Sequence, residues 1–468
     1  MQPELTGHWA GVASVAIFLL AYAAVVGEKR LGLHKSVPVL VGAGAIWVLT
    51  GIAYAQHGIS GQASDAALHN VLDYAQLFLF VLVALTYVNT VSERGVFDAV
   101  RAWLISRDLS MRALFWVTGL LAFLMSPVAD NLTTALVLGS IAVSVGQGRP
   151  RFISLACINI VVAANAGGVF SPFGDVTTLM VWQSGTVSFT GFFPLAVPAL
   201  VNWLVPAAIM SLHVDDGKPQ PVTESAVLEA GALTVTLLFF VTIALTVSLH
   251  SFLHLPSAIG MMFGLGLLKL YSYSLNRGTA PLQIDALEEV FADASDSEVD
   301  GERDIEPRAA IRRAPSPKPL RTFELMEKIE WDTLLFFYGV VLAVGGLNAL
   351  GYLAKVSSLL YGGLGSTMAN VLVGLLSAVI DNVPVVFAVL SMGLTMSQGE
   401  WLLVTLTAGV GGSLLSVGSA AGVALMGMAR ANYTFGAHLR WSYVIALGYA
   451  ASVGTHMLVN RALFEGHP

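Results

Sequence analysis

The chain has 468 residues, 56% of them hydrophobic and only 11% charged, with a net charge of −7 and one cysteine. A soluble domain carries about 25% charged residues, so soluble classes are excluded, and Cys157 has no partner for an intramolecular disulfide. No Cys/His spacing of metal-site type is present, and the negative charge is mostly a matter of one loop, so no nucleic-acid partner follows from it.

Several apolar runs approach ~20 residues, the length that crosses ~30 Å of hydrocarbon as a helix. Residues 9–26 form the first predicted span, interrupted only by Ser14 and Tyr22. A cleaved signal peptide is the alternative, because Ala21-Tyr22-Ala23 looks like a cleavage site. The missing basic n-region, with Glu4 in its place, favours a retained helix. Residues 36–55 are the second span and 71–91 the third, separated by a polar segment over 56–70. A basic connection over 94–112 follows.

From 113 to 145 the chain is apolar except at its centre, which reads Ser126-Pro127-Val128-Ala129-Asp130-Asn131-Leu132-Thr133-Thr134. Arms of ~14 residues are too short to span singly. They fit a re-entrant hairpin with Asp130-Asn131 at its tip, tolerated where protein or water surrounds the non-helical backbone. Residues 152–182 are too long for one plain helix. They carry the breaks Asn165-Ala166-Gly167-Gly168 and Ser171-Pro172-Phe173-Gly174-Asp175. That pattern predicts a discontinuous helix whose freed carbonyls and helix ends face a ligand. Residues 192–212 close the first half.

The second half repeats the plan. Residues 231–249 and 255–271 are spans. Residues 272–330 are a hydrophilic insertion, acidic over 294–303 and rich in Pro and Arg over 307–321, predicted to be disordered or a partner tail. Residues 331–350 span again. Residues 364–396 are the second hairpin, with Ser377-Ala378-Val379-Ile380-Asp381-Asn382-Val383-Pro384-Val385 at its centre. Residues 401–428 are the second broken helix, with Gly411-Gly412 and Ser416-Val417-Gly418-Ser419. Residues 441–459 are the last span.

The two halves, 1–229 and 230–468, align. Asp73-Tyr74 matches Glu330-Trp331, Asp130-Asn131 matches Asp381-Asn382, and Gly167, Gly168 and Gly174 match Gly411, Gly412 and Gly418. The predicted fold is an all-α polytopic membrane protein. It has two repeats, each of five crossings plus one re-entrant hairpin. Five is odd, so the second repeat enters from the opposite side, and such inverted repeats form substrate sites at their interface near the midplane. Cytoplasmic loops carry the excess of Lys and Arg. With both termini outside, every Lys and Arg except Lys355 and Arg461 falls inside, and the 272–330 loop is cytoplasmic.

An acid in these surroundings is a functional hypothesis by default. The rival reading puts Asp130 and Asp381 in surface loops, but neither has charged flanks. A partly desolvated carboxyl holds a proton more readily than one in water and can give it up to a cation. Hard oxygen donors lie near. Ser126, Thr133 and Thr134 accompany the first tip, and Ser377 and Asn382 the second. Asn165, Ser171, Asp175, Thr177 and Thr178 lie in the first break, and Ser413, Ser416 and Ser419 in the second. Each hydroxyl can instead bond its own helix backbone; Asp130, Asp381 and Asp175 stand out individually. Asn89, Asn159, Asn348 and Asn370 are more ordinary helix–helix contacts, and His456 a packing histidine or a proton relay.

The doubled Ser-x-x-x-Asp-Asn tips, the Gly-Gly-x-x-Ser-Pro-x-Gly break and its second-half partner resemble the NhaD-type sodium/proton antiporters. These belong to a superfamily that also holds arsenite permeases and divalent anion/sodium symporters. The resemblance covers nearly the whole chain except 272–330. It implies ion sites between hairpin tips and broken helices, and a homodimer in a bacterial inner membrane that moves its substrate by an elevator-like shift. It places an ion-site role on Ser126, Asp130, Asn131, Asp381, Asn382 and the breaks at Gly174 and Gly418. The second break has Ser416-Val417-Gly418 where the first has Ser-Pro-Phe-Gly, so its loop shape is open.

The leading functional expectation is exchange of Na⁺ or Li⁺ against H⁺, without cofactor and without enzyme chemistry. The alternative is an anion or arsenite transporter, possibly Na⁺-coupled. Three acids, with no Lys or Arg near them in sequence, favour a cation. An ion channel lacks a filter-like repeat, and a membrane enzyme lacks a nucleophile–base constellation.

Overall fold

Apolar side chains on every face of a helix mark a segment surrounded by protein or lipid, and most helices here are of that kind. The computed structural model describes residues 4–107, 109–218, 228–296 and 319–465, without the side chains of 26, 29, 30 and 278–296. Among the described residues there is no strand. The first half contains α1 (Trp9–Val26), α2 (Ser36–Gln56), α3 (Ser60–Glu93), α4 (Met111–Ala129), α5 (Asn131–Val145), α6 (Pro150–Gly168), α7 (Val176–Gln183) and α8 (Ala196–Ser211). The second contains α9 (Ala232–Leu253), α10 (Ser257–Asp296), α11 (Trp331–Ala349), α12 (Tyr352–Leu364), α13 (Ser366–Leu376), α14 (Asn382–Ser391), α15 (Gln398–Gly411), α16 (Ala420–Met428) and α17 (Ser442–Val459).

Among the described residues nine helices are long and apolar enough to cross a membrane, or ten if α12 and α13, bent by 120°, count as one. Leu20, Val41, Leu233 and Leu458 are exposed on helix surfaces, positions that would be aggregation-prone in water and that suit contact with hydrocarbon. The chain is an integral membrane protein.

Three boundaries differ from expectation. The polar segment before the third span is helical from Ser60, because Ser60-Gly61-Gln62-Ala63 and the alanines after it contain no proline to stop a helix. Helix α12, absent from the sequence reading, precedes the second hairpin and ends at Gly365, whose φ of 77° an L side chain rarely adopts. The 272–330 insertion is structured at both ends. Helix α10 continues to Asp296. Leu320 is clipped to Asn276 by bonds of 2.7 and 2.9 Å, with Leu320, Leu325 and Ile329 buried behind it. Most of its Pro/Arg-rich stretch and most of its acidic stretch lie outside the described residues.

The chain divides into two compact units. The smaller comprises Leu79–Trp103 and Glu224–Ile329. In it α9 packs on α10, and Tyr87 ties the pair together by bonds to Thr242 at 2.9 Å and to the Gly264 carbonyl at 2.7 Å. The larger comprises Met1–Phe78, Leu104–Thr223 and Glu330–Pro468 and holds every predicted site residue.

In the larger unit the two halves use the same contacts. Helix α4 packs on α6, and α13 on α15. Ser126 donates to the Ala164 carbonyl at 2.6 Å, and Ser377 to the Ala408 carbonyl at 2.7 Å. At Gly168 an added Cβ would stand 2.8 Å from the Gly174 oxygen; at Gly412 it would stand 2.7 Å from the Gly418 oxygen. Both breaks therefore bring backbone against backbone at a distance only glycine permits. The halves also exchange partners. Helix α5 packs on α16, and α14 on α7, so each tip helix rests on the broken helix of the other half.

Candidate functional site

Helices end where the backbone loses its i→i−4 partner, and the freed N–H groups need acceptors. Four helix N-termini meet this need with polar side chains. Asp130 accepts from Thr133 N at the start of α5, and Asp175 from Thr177 N at the start of α7. Asp381 accepts from Val383 N at α14, and Ser419 from Gly422 N at α16. Each N-terminus carries about half a positive charge. Three carboxylates thus face four partly positive helix ends.

Asp175 is the hub. Its Oδ2 accepts from Asn131 Nδ2 at 2.8 Å and from Asn382 Nδ2 at 3.0 Å. Its Oδ1 accepts from the Thr177 amide and hydroxyl, both at 2.9 Å. Four donors fill the acceptor capacity of a carboxylate. A second string runs from Asn131 Nδ2 to Asn165 Oδ1 at 3.1 Å, and from Asn165 Nδ2 to Ser419 Oγ at 3.0 Å. Both tips and both breaks are thus joined by side-chain hydrogen bonds, with Asp175, Asn165, Asn382 and Ser419 buried.

Asp130 occupies φ 56°, ψ 162°, a region close to glycine-only that costs about 1–3 kcal/mol for other residues. Thr133 offsets it with both its N–H, at 2.8 Å, and its hydroxyl, at 2.9 Å. Asp381 has ordinary extended backbone, φ −45°, ψ 141°. Lys35 is an opposite charge acting on the Asp381 carboxyl. The Tyr22 hydroxyl, within electrostatic reach of Asp381, is buried without a hydrogen-bond partner. The two tips are related in sequence but not equivalent in surroundings.

The predicted hydroxyls divide. Thr134 Oγ1 is buried without a hydrogen-bond partner. Thr177 and Thr133 already serve the carboxylates. Thr178 donates to the Ser171 and Asp175 carbonyls, and the Ser171 hydroxyl accepts from Phe173 N. Ser126 and Ser377 spend their protons on carbonyls of the broken helices, so they pin the tips. Ser413 bonds its own helix at Val410, and Ser416 is drawn to the Met426 sulfur at 3.2 Å. Neither reaches the Asp175 cluster by a hydrogen bond among the described residues.

A family model described as a citrate transporter matches residues 22–409. The Na(+)/H(+) antiporter NhaD of Alkalimonas amylolytica is 52% identical over 462 residues, covering 99% of this chain and 93% of that protein. The protein of the same name from Vibrio cholerae is 51% identical over 461 residues, covering 98% and 94%. The sodium/proton antiporter 1 of Arabidopsis thaliana is 30% identical over 469 residues, covering 97% and 73%. The chain belongs to the NhaD family of sodium/proton antiporters. The resemblance drawn from the tips and breaks therefore holds, and both tips and the first break lie inside the family match.

Lys35 and Tyr22 were missed by sequence reasoning. They lie more than 340 residues before Asp381, Tyr22 in α1 and Lys35 at the residue preceding α2, and nothing local marks them. The reading of Asn159 and Asn370 as helix–helix contacts agrees with their bonds. Asn159 joins Phe115 O at 2.7 Å and Trp203 at 2.8 Å, and Asn370 joins Tyr361 at 3.0 Å and Glu400 at 2.7 Å. His456 is held between Gly399 O at 3.0 Å and Asn460 at 2.8 Å, as a packing residue would be.

Proposed function

We infer that this chain exchanges Na⁺ or Li⁺ for H⁺ as a secondary antiporter without a cofactor, and that Asp175 is the shared carboxylate for which cation and proton compete. The observation that carries the reading is the pair of bonds from Asn131 and Asn382 to one oxygen of Asp175, one from each tip. A proton on Asp175 occupies an acceptor site and weakens that pair. A cation draws on the same oxygens. Binding of either ion is thereby felt by both hairpins at once. Asp130 is the second carrier. Asp381, within electrostatic reach of Lys35, tunes the site by its charge.

The halves are read as inverted repeats, with the two hairpins entering from opposite sides of a bacterial inner membrane, both termini outside and residues 272–330 in the cytoplasm. The excess of Lys and Arg on one side supports this orientation. A homodimer and an elevator-like shift follow by analogy with the superfamily alone. The matching packing of α5 on α16 and of α14 on α7 suits two gates that move against one core.

The description of the matching family as a citrate transporter gives the second reading, an anion carrier. It asks for basic or donor-rich tips, and three acids weigh against it. Inverted vesicles decide between the two. Dequenching of a pH-gradient dye on addition of NaCl, with no anion required, is the expected result. Uptake of labelled citrate with no response to any monovalent cation would reverse the assignment.

A further inference from the structure

The two breaks are braced differently. In the first, Thr178 donates to the Ser171 and Asp175 carbonyls at 2.8 and 2.7 Å, and the ring of Pro172 fixes its own φ. That break is held by its own residues. At the offset that matches Gly174 with Gly418, Ser416 stands in place of Pro172 and Gly422 in place of Thr178. The second break therefore has neither the ring nor that hydroxyl.

Its bracing comes from the segment between α16 and α17. His438 sits on a short helix over Phe435–Leu439 and is fully buried. Its Nε2 lies 2.9 Å from the Ser413 carbonyl. A carbonyl only accepts, so Nε2 carries the hydrogen. Burial keeps the ring neutral, which leaves Nδ1 to accept from the buried Tyr433 hydroxyl at 2.8 Å. Ser442, at the start of α17, donates to the next carbonyl, that of Leu414, at 2.6 Å. Two consecutive carbonyls of the break are thus gripped by one segment. A buried carbonyl that loses its donor costs free energy until it finds another, and a break without proline is free to shift toward one.

This break touches the site directly. An added Cβ at Gly418 would stand 2.6 Å from the Ala378 oxygen and 2.8 Å from the Ser377 oxygen. The break therefore lies backbone to backbone against the second tip, just before Asp381. The next residue, Ser419, accepts from Asn165 at 3.0 Å, and Asn165 accepts from Asn131 at 3.1 Å. We propose that His438 is a positioning residue of the transport site: with Ser442 it sets the shape of the second break, and through Gly418 and Ser419 the placement of the second tip and of Asn165. It touches no ion itself. Its effect on transport rests on the site reading above, whereas its effect on the break does not depend on transport.

The test compares His438→Leu, Ser442→Ala and His438→Gln with the wild type, all purified full length and reconstituted. Gln keeps a donor of similar reach. Amide hydrogen exchange read by mass spectrometry should be faster over 412–418 in His438→Leu and Ser442→Ala, unchanged over 168–174, and close to wild type in His438→Gln. In proteoliposomes both faster-exchanging variants should raise the KM for Na⁺ with kcat little changed, the pattern of lost ion binding. The expected rise is about 5-fold, equivalent to about 1 kcal/mol, and His438→Gln should restore the wild-type KM. Should His438→Leu fail to fold, Ser442→Ala carries the same comparison. Unchanged exchange over 412–418, or an unchanged KM beside loss of activity in Asp175→Asn, would overturn the proposal and leave the site reading standing. A raised KM in His438→Leu beside wild-type activity in Asp175→Asn would support His438 and contradict the reading of Asp175.

Discussion

Asn382 Nδ2 donates to Asp175 Oδ2 at 3.0 Å across 207 residues of chain. This bond joins the tip helix of the second half to the broken helix of the first. Asn131 reaches the same oxygen from the other tip, so the protonation or ion-binding state of one carboxylate bears on both.

The two tip acids should differ. Asp130→Asn retains a side chain that tolerates positive φ and caps the helix, so the variant should insert and fold normally. It should lose coupled exchange, because the amide cannot carry a proton. Asp381→Asn, at a carboxyl within electrostatic reach of Lys35, should lose less. Dye dequenching on NaCl addition in inverted vesicles, with protein levels matched, measures both. Equal activity of Asp130→Asn and wild type would remove Asp130 from the mechanism.

The backbone contacts in the breaks should be intolerant of a single methyl group. Gly168→Ala or Gly412→Ala forces a carbonyl away, and such overpacking typically costs about 1–3 kcal/mol. Thermal unfolding in detergent should show a lowered Tm for each. Gly427→Ala is the control, since nothing lies within 4 Å of its added Cβ. A wild-type Tm in both break variants would mean that the glycines are not required by the close approach.

His438 should make the fold acid-sensitive. It lies between α16 and α17, bonded to Tyr433 at 2.8 Å and to Ser413 O at 2.9 Å, and burial pushes its imidazole down to about 4. The unfolded chain, with an ordinary value of ~6.5, takes up a proton in the window between those values that the folded chain refuses. Stability is therefore full above the unfolded value and falls as pH drops toward the folded one, by roughly 3 kcal/mol in all. The fall in Tm between about pH 7 and about pH 4.5 should be smaller in His438→Gln than in wild type. Identical pH profiles would show that His438 titrates normally.

How legible the site was depended on distance along the chain. Asp130-Asn131 and Asp381-Asn382 could be found because a polar pair inside an apolar run is costly and shows locally. The breaks showed through their glycines and Pro172. The hub role of Asp175 did not show, because in sequence it is one more N-cap, and only the fold brings Asn131 and Asn382 to it. Ser126 and Ser377 were read as ligands from sequence, and their bonds to the Ala164 and Ala408 carbonyls of other helices, which pin the tips, did not show there. The helical start at Ser60 and the clip of Leu320 to Asn276 were missed for a related reason. Polar composition alone does not say whether a segment finds a partner.

The central claim is that Asp175 is the carboxylate for which Na⁺ and H⁺ compete. Wild type and Asp175→Asn should be reconstituted and Na⁺ efflux followed with and without a valinomycin-set potential. The wild type should exchange in a voltage-dependent way, because more than one acid borders the site and each net charge moved is worth ~2.3 kcal/mol per 100 mV. Asp175→Asn should fold normally and fall by at least about 100-fold, the factor that about 2.7 kcal/mol gives. Exchange by Asp175→Asn at the wild-type rate would contradict the account.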